Sequence, residues 1–199
     1  MVRFIFVWFS LMLILFSCQQ EAVYTPKPRA YPKVEYLEKR YQMFDESFCA
    51  FSFDYPTYAR VEQDLGKKEE TGSDCWFDLN FSGFNGRIHC TYYEIGESKS
   101  YEELKQDAFE LADYHNKKAN YIDELRINRP EQNVTGFVFA IEGPAATPIQ
   151  FYLTDEENHF FRGALYFNTA VRPDSIAPIY EFIREDVLKL IESFSWGSE

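Results

Sequence analysis

The chain has 199 residues, of which 46% are apolar and 26% charged, which excludes a wholly disordered protein and fits one domain with a sizeable core. The 20 Lys and Arg residues face 32 Asp and Glu residues, and the formal net charge of −12, with no basic patch to offset it, argues against nucleic-acid binding. Aromatic residues make up 19%, which favours a β-rich core because such side chains suit pleated, half-buried surfaces.

The first residues have the layout of an export signal over residues 1–17. Arg3 supplies one positive charge, and an apolar run from Phe4 to Phe16 follows it. As a helix this run would span about 20 Å, short of the roughly 30 Å hydrocarbon core of a bilayer, so it is a poor transmembrane helix. The run ends in Leu15-Phe16-Ser17-Cys18, which resembles the lipobox of bacterial lipoproteins. This predicts a lipid on Cys18; the alternative is cleavage at another small residue, with no role for Cys18.

Residues 18–35 are predicted to form a lipidated, proline-rich tether, followed by a single domain over residues 36–199. Pro26, Pro28 and Pro32 favour extended backbone, as in a semi-rigid spacer. Three side chains of the tether are candidates for docking on the domain or on a partner, although a plain linker explains the segment equally well. They are Tyr24, Arg29 and Tyr31.

The rest of the chain predicts a block of strands, a helix, further strands and a final helix. The predicted strands are 48–55, 58–63, 74–81, 87–95, 136–142, 147–153 and 160–168. A capping box of Ser100 and Glu103 begins the first helix, whose apolar stripe continues to Ala119. The second helix begins at Asp174 or Ser175. Short links between strands imply an α+β fold with an antiparallel sheet flanked by helices, and the pattern resembles the PsbP/Mog1-like α/β/α sandwich.

Three cysteines remain once Cys18 carries a lipid, and an exported protein can keep a disulfide. Cys49 and Cys75 lie in aromatic, strand-like runs, and this pairing is favoured over the two others that are open. Cys90 lies in an alternating strand, where it suits a small buried side chain. No CxxC spacing occurs, which argues against a redox motif or a zinc site.

No catalytic constellation is recognisable, so the sequence predicts a protein that is not an enzyme and has no metal or cofactor. His89, His115 and His159 are too far apart in sequence for a helical zinc pair, and the expectation is one core histidine and two on the surface. A metal-assisted enzyme that uses them remains an alternative. Serine-nucleophile and phosphate-loop motifs are also missing.

An aromatic hairpin over residues 150–155 and 159–167 contains Arg162 and Gly163. Both faces of its strands carry aromatic side chains, and core packing accounts for only one face. The second face is therefore expected to be covered by a helix, by the proline-rich segment or by another protein. Arg162 is accordingly a candidate partner-binding residue.

Several of these motifs together resemble GldD, the gliding motility lipoprotein family of Bacteroidetes. They are the Cys18 lipobox, residues 24–31, Cys75-Trp76, residues 87–89 and the aromatic hairpin. The resemblance implies a non-enzymatic envelope protein on the periplasmic side of the outer membrane. It also implies partners among type IX secretion components and other Gld lipoproteins, including an effect on the stability of GldJ.

Two further interpretations remain open. Asp174-Ser175-Ile176 resembles the O-glycosylation motif of Bacteroidetes with Ser175 as the acceptor, in competition with a role as a helix cap. A periplasmic binder of small ligands or polysaccharides, using exposed Tyr and Trp side chains, is the alternative function.

Overall fold

In the computed structural model, which describes residues 34–66, 73–168 and 173–197, the chain forms two antiparallel sheets and two long helices. Residues 33–199 form one compact unit. The strands are β1 (Tyr41–Phe44), β2 (Phe51–Pro56), β3 (Arg60–Gln63), β4 (Trp76–Phe81), β5 (Gly86–Glu94), β6 (Tyr121–Arg129), β7 (Val134–Glu142), β8 (Ile149–Thr154), β9 (His159–Phe167) and β10 (Ser195–Trp196). The helices are α1 (Tyr101–Asp113) and α2 (Pro173–Ser193).

The larger sheet has seven strands in the order β3-β4-β5-β9-β8-β7-β6, and the smaller sheet has the order β1-β2-β10. Every pairing is antiparallel, as in Leu79 opposite Ile88 and Cys90 opposite Gly163. The predicted hairpin between β4 and β5 is present, with Asn85 in the left-handed region at φ 52°. An α+β fold with an antiparallel sheet is therefore confirmed.

Helices cover both faces of the larger sheet. On one face, β2 of the smaller sheet and α2 pack on the main core through Phe53, Val187 and Phe194. On the other face, Leu104 and Ala108 of α1 belong to a second cluster. All six residues of β8 are buried because it lies between these layers. The second face of the aromatic hairpin is thus covered by a helix at Tyr152 and Phe160, one of the three expectations, and the layers are those of an α/β/α sandwich.

The predicted capping box of α1 is confirmed: the Ser100 backbone N–H donates to Glu103 Oε2 at 2.8 Å, and the Glu103 backbone N–H donates to Ser100 Oγ. The helix ends at Asp113, so the predicted extension to Ala119 is wrong. A 3-10 helix over Tyr114–Lys117 follows directly, with Asn116 hydrogen-bonded to Asp113, and leads into β6. Helix α2 begins at Pro173, slightly earlier than predicted.

Three strands were not predicted: β1, β6 and β10. Strands β1 and β10 have four and two residues, too few for a periodic signal, and β6 carries charges on both faces. Cys49 and Cys75 lie just before β2 and β4 rather than within strands. Val34, assigned to the tether from the sequence, packs on the main core.

Candidate functional site

Seven partly exposed polar and aromatic side chains lie on the α1 side of β4, β5 and β9, and we call them the outer patch. They are Trp76, Asp78, Arg87, His89, Tyr93, Arg162 and Tyr166. On β5, Ile88, Cys90 and Tyr92 belong to the main core, so the residues between them point to the opposite face. Helix α1 packs over the neighbouring strands, on Tyr152 and Phe160. The outer patch is the adjoining part of the same face.

Asp78 holds the charged part of the outer patch together. Its Oδ1 lies 2.6 Å from Nδ1 of His89, and its Oδ2 accepts a hydrogen bond of 3.1 Å from Nη1 of Arg87. Burial raises the pKa of Asp78, but the hydrogen bonds and charges of His89 and Arg87 outweigh burial, and the pKa is lowered overall. The ring of His89 lies 5.3 Å from that of Tyr166. Asp78 is therefore ionised near neutral pH, with a cation and an aromatic pair beside it.

Arg162, predicted to bind a partner, is the member of the outer patch that lies near Asp107 of α1. Its Nη2 donates to Gln150 Oε1 at 2.7 Å, and Gln150 is only 1% exposed. Burial lowers the pKa of the guanidinium group, while the nearby Tyr166, Tyr93 and Asp107 oppose that effect. Arg162 is thus a mostly buried cation bonded to a neutral amide.

Two buried side-chain N–H groups lie on the same sheet face as Arg162, one on β8 and one at the start of β4. Among the described residues, the buried Nε2 of Gln150 and the buried Nε1 of Trp76 have no hydrogen-bond partner. The guanidinium group has further N–H groups beyond the one that bonds Gln150. Another molecule cannot reach these buried donors, but it can reach the exposed Arg87 guanidinium group and the aromatic rings of the outer patch, which suit carboxylate and carbonyl groups. This arrangement can bind and orient a partner.

The histidines occupy three different settings, and the expectation of one core histidine is wrong because none of them is buried. His89 is exposed in the outer patch, and His115 is half-buried in the turn after α1. Burial lowers the pKa of His115, with a smaller contribution from the charge of Arg162. His159 stacks on Trp196 at 5.1 Å and bonds to Tyr92 Oη at 2.6 Å. Within the described ranges no three His, Cys, Asp or Glu side chains could share a metal ion.

Four of the predicted functional residues lie outside the described residues: Cys18, Tyr24, Arg29 and Tyr31. Ser175 is half-buried in the first turn of α2. Because the helix begins before it, Ser175 is inside the helix rather than at its cap, and its glycosylation stays a prediction.

The Cys49–Cys75 disulfide is present, with the two Cα atoms 5.0 Å apart. It joins the turn before β2 to the start of β4, next to a polar cavity of about 400 Å³ that Ser73 and Tyr93 help to line. Cys90 is free and buried, and burial raises the pKa of its thiol well above the usual value. The thiol is therefore protonated and unreactive near neutral pH.

A second cavity, of about 510 Å³, lies between β6 and the first turns of α2. Leu125, Ala140 and Ala177 line its apolar part, and Asp123 and Glu142 contribute carboxylates. Small side chains leave this space open beside an edge strand. The sequence analysis identified neither this cavity nor Asp78 as part of a functional site. The alternation along a strand shows which side chains point outwards, but it does not show which of them contact each other across strands.

Residues 21–196 match the family described as gliding motility lipoprotein GldD. The chain belongs to this family. The resemblance drawn from the sequence is thereby confirmed, and the protein is a lipoprotein of gliding motility. Among proteins of curated function, none matches the chain.

A solution structure of cyanobacterial PsbP (CyanoP) from Synechocystis sp. PCC 6803 is similar, with a TM-score of 0.46 and 11% sequence identity over 78% of this chain and 92% of that chain. Within the described ranges, no helix is both long and apolar enough to cross a bilayer.

Proposed function

We propose that the protein is a non-enzymatic component of the gliding machinery, held by a lipid on Cys18 at the periplasmic side of the outer membrane. Its partners are other Gld lipoproteins and components of type IX secretion. The observation that carries this proposal is the family match over residues 21–196. The lipobox-like Leu15-Phe16-Ser17-Cys18 supports the anchor. A protein anchored in this way meets its partners at a membrane surface and acts on them by contact.

The outer patch is the contact surface in this proposal. Arg87 is 41% exposed at its side chain, and it lies beside Asp78 and the His89–Tyr166 pair. Arginine and aromatic side chains are enriched at protein interfaces because they combine apolar area with directional hydrogen bonds. Tyr24, Arg29 and Tyr31 of the tether are proposed to add contacts.

Charge reversal in the outer patch tests the contact surface. Arg87→Glu should slow gliding in cells that depend on this protein, while the amount of folded lipoprotein in the membrane stays normal. Arg40→Glu is the matched control, because Arg40 is exposed and its one ion pair among the described residues is with Glu38, two positions away, at 2.7 Å. Equal gliding speeds for both variants and the unchanged protein would show that the outer patch is not the contact surface.

Loss of the anchor tests the lipid on Cys18. Cys18→Ala should leave the domain folded, move the protein from the membrane fraction to the soluble fraction and impair gliding. Normal gliding with soluble protein would contradict the requirement for an anchor. A Cys18→Ala protein that stays in the membrane fraction would contradict the lipid itself.

Binding of a small ligand or polysaccharide is the second candidate function. The aromatic pairs Trp76–Tyr93 and His89–Tyr166, with ring centroids 5.6 and 5.3 Å apart, lie on one sheet face where a sugar ring could stack. A panel of glycans and metabolites should then raise the unfolding temperature of the full lipoprotein in detergent, and Tyr166→Ala should abolish the shift. No shift with any member of the panel would count against this candidate.

A further inference from the structure

Strand β6 ends the larger sheet and leaves one edge open. It pairs with β7 along its whole length: Tyr121 lies opposite Glu142 at one end, and Arg129 lies opposite Val134 at the other. No other described strand pairs with it. None of its nine residues is buried, and Leu125 is 46% exposed. A long edge of unpaired backbone N–H and C=O groups is a template for another strand. The opposite edge, β3, has only four residues.

The sequence of β6 is complementary to itself when two copies pair in antiparallel orientation. Leu125 is the midpoint of Tyr121–Arg129, so centring the pair on Leu125 places every residue of one strand opposite a residue of the other. Glu124 then lies opposite Arg126 on both sides of the centre. Both side chains are exposed, and neither forms an ion pair within the described residues. Opposite charges in directly facing positions stabilise a strand pair.

Charge also selects this register over its neighbours. A pair centred on Glu124 places two carboxylates face to face, and a pair centred on Arg126 does the same with two guanidinium groups. Like charges in facing positions destabilise a strand pair. Centring on Leu125 instead brings two exposed leucine side chains together next to the apolar cavity of about 510 Å³ that Leu125 lines.

We propose that two copies of this protein pair through their β6 edges, with Leu125 on a twofold axis. The two seven-stranded sheets then form one continuous sheet. An axis of this kind is perpendicular to the sheet, so the outer patches of both copies face the same side. The dimer would present two contact surfaces in one direction, which raises the avidity for a partner that carries two binding sites. This inference does not depend on which proteins the outer patch binds.

A cysteine at the centre of the strand tests the register in native membranes. Leu125→Cys should give a covalent dimer on a non-reducing gel, because facing Cβ atoms in a strand pair are about 5 Å apart. Asn128→Cys is the matched control: its partner in this register is Ile122, and the two copies of residue 128 are about 20 Å apart along the strands, so we expect about tenfold less dimer. Equal cross-linking of both variants, or none from Leu125→Cys, would overturn the proposal.

Charge exchange gives a second, independent readout on the full lipoprotein purified in detergent. Glu124→Arg places like charges opposite each other and should weaken the dimer about tenfold. Adding Arg126→Glu restores opposite charges and should restore the dimer. A double variant that stays as weak as the single variant would refute this register, and a cross-link from residue 125 to a different protein would show that another chain occupies the edge.

Discussion

Lys39 Nζ donates a hydrogen bond of 2.8 Å to Oδ1 of Asp186, a carboxylate that is only 2% exposed. Tyr41 Oη donates to the same oxygen at 2.9 Å, and Tyr58 Oη donates to Oδ2. Burial, followed by the hydrogen bond to Asp186, raises the pKa values of both tyrosines, so they remain donors. This buried cluster fixes the segment before β1 and the loop after β2 to helix α2.

Asp186→Ala should destabilise the fold strongly. It removes the acceptor of two tyrosine hydroxyl groups and one partner of the Lys39 ammonium group, which keeps the Phe182 carbonyl oxygen and Glu185. Each group left without its acceptor costs about 1–3 kcal/mol. Lys39→Met is the matched variant, because Asp186 keeps both tyrosine donors and Met retains the apolar length of the side chain. Urea unfolding should therefore show a larger loss of free energy for Asp186→Ala. Equal losses of unfolding free energy in the two variants would mean that the hydrogen bonds from the two tyrosine hydroxyl groups to Asp186 do not stabilise the fold.

Gly163→Ala should also destabilise the fold. A Cβ atom at this position would lie 2.3 Å from the ring of Phe151, which is itself buried in the core. Such overpacking costs about 1–3 kcal/mol because neighbouring side chains must leave their preferred positions. Gly83→Ala is the control, since nothing lies within 4 Å of a Cβ atom there. Similar unfolding temperatures for the two variants would show that Phe151 moves aside at little cost.

Removal of the disulfide should lower the free energy of unfolding. Cys49 and Cys75 are 26 residues apart in sequence, and closing a loop of this size contributes roughly 3–4 kcal/mol in the chain-entropy model. The paired substitution Cys49→Ser with Cys75→Ser should therefore lower the urea midpoint, and a reducing agent should do the same to the unchanged protein. If the reducing agent lowers the midpoint of the double variant equally, the loss comes from elsewhere.

Acid should destabilise the protein partly through Asp78. Its lowered pKa means that the unfolded chain binds a proton more readily than the folded one, so stability is full above the ordinary value of 3.8 and falls as pH drops through the lowered pKa. Asp78→Asn should remove this part of the acid sensitivity, while Asp45→Asn, at an exposed position, should leave it in place. Matching pH profiles of unfolding for Asp78→Asn and the unchanged protein would contradict the role of the His89–Asp78–Arg87 group.

Local patterns predict much of this fold. Alternation identifies the central strands, because their residues alternate between the two cores, and Ser100 with Glu103 identifies the start of α1. Strand β6 was not predicted because its hydrophobic residues Ile122, Leu125 and Ile127 lie on both faces and are interrupted by charged residues. An edge strand tolerates this pattern because its residues are not enclosed.

The functional surfaces were less predictable. Arg162 was identified from its place in an aromatic strand, but its bond to Gln150 depends on the pairing of β8 with β9. The same holds for the buried cluster around Asp186, whose hydrogen bonds join residues up to 147 positions apart in sequence. No local sequence pattern indicates contacts over such distances. Only the tertiary structure brings these groups together.

The most direct test of the central claim is site-specific photo-cross-linking in gliding cells, with the reactive amino acid at position 87 of the full lipoprotein and at position 40 as the control. We predict that position 87 captures other gliding lipoproteins or type IX secretion components, identified by mass spectrometry, and that position 40 does not. Cells that glide normally while position 87 captures none of these proteins would contradict contact through the outer patch.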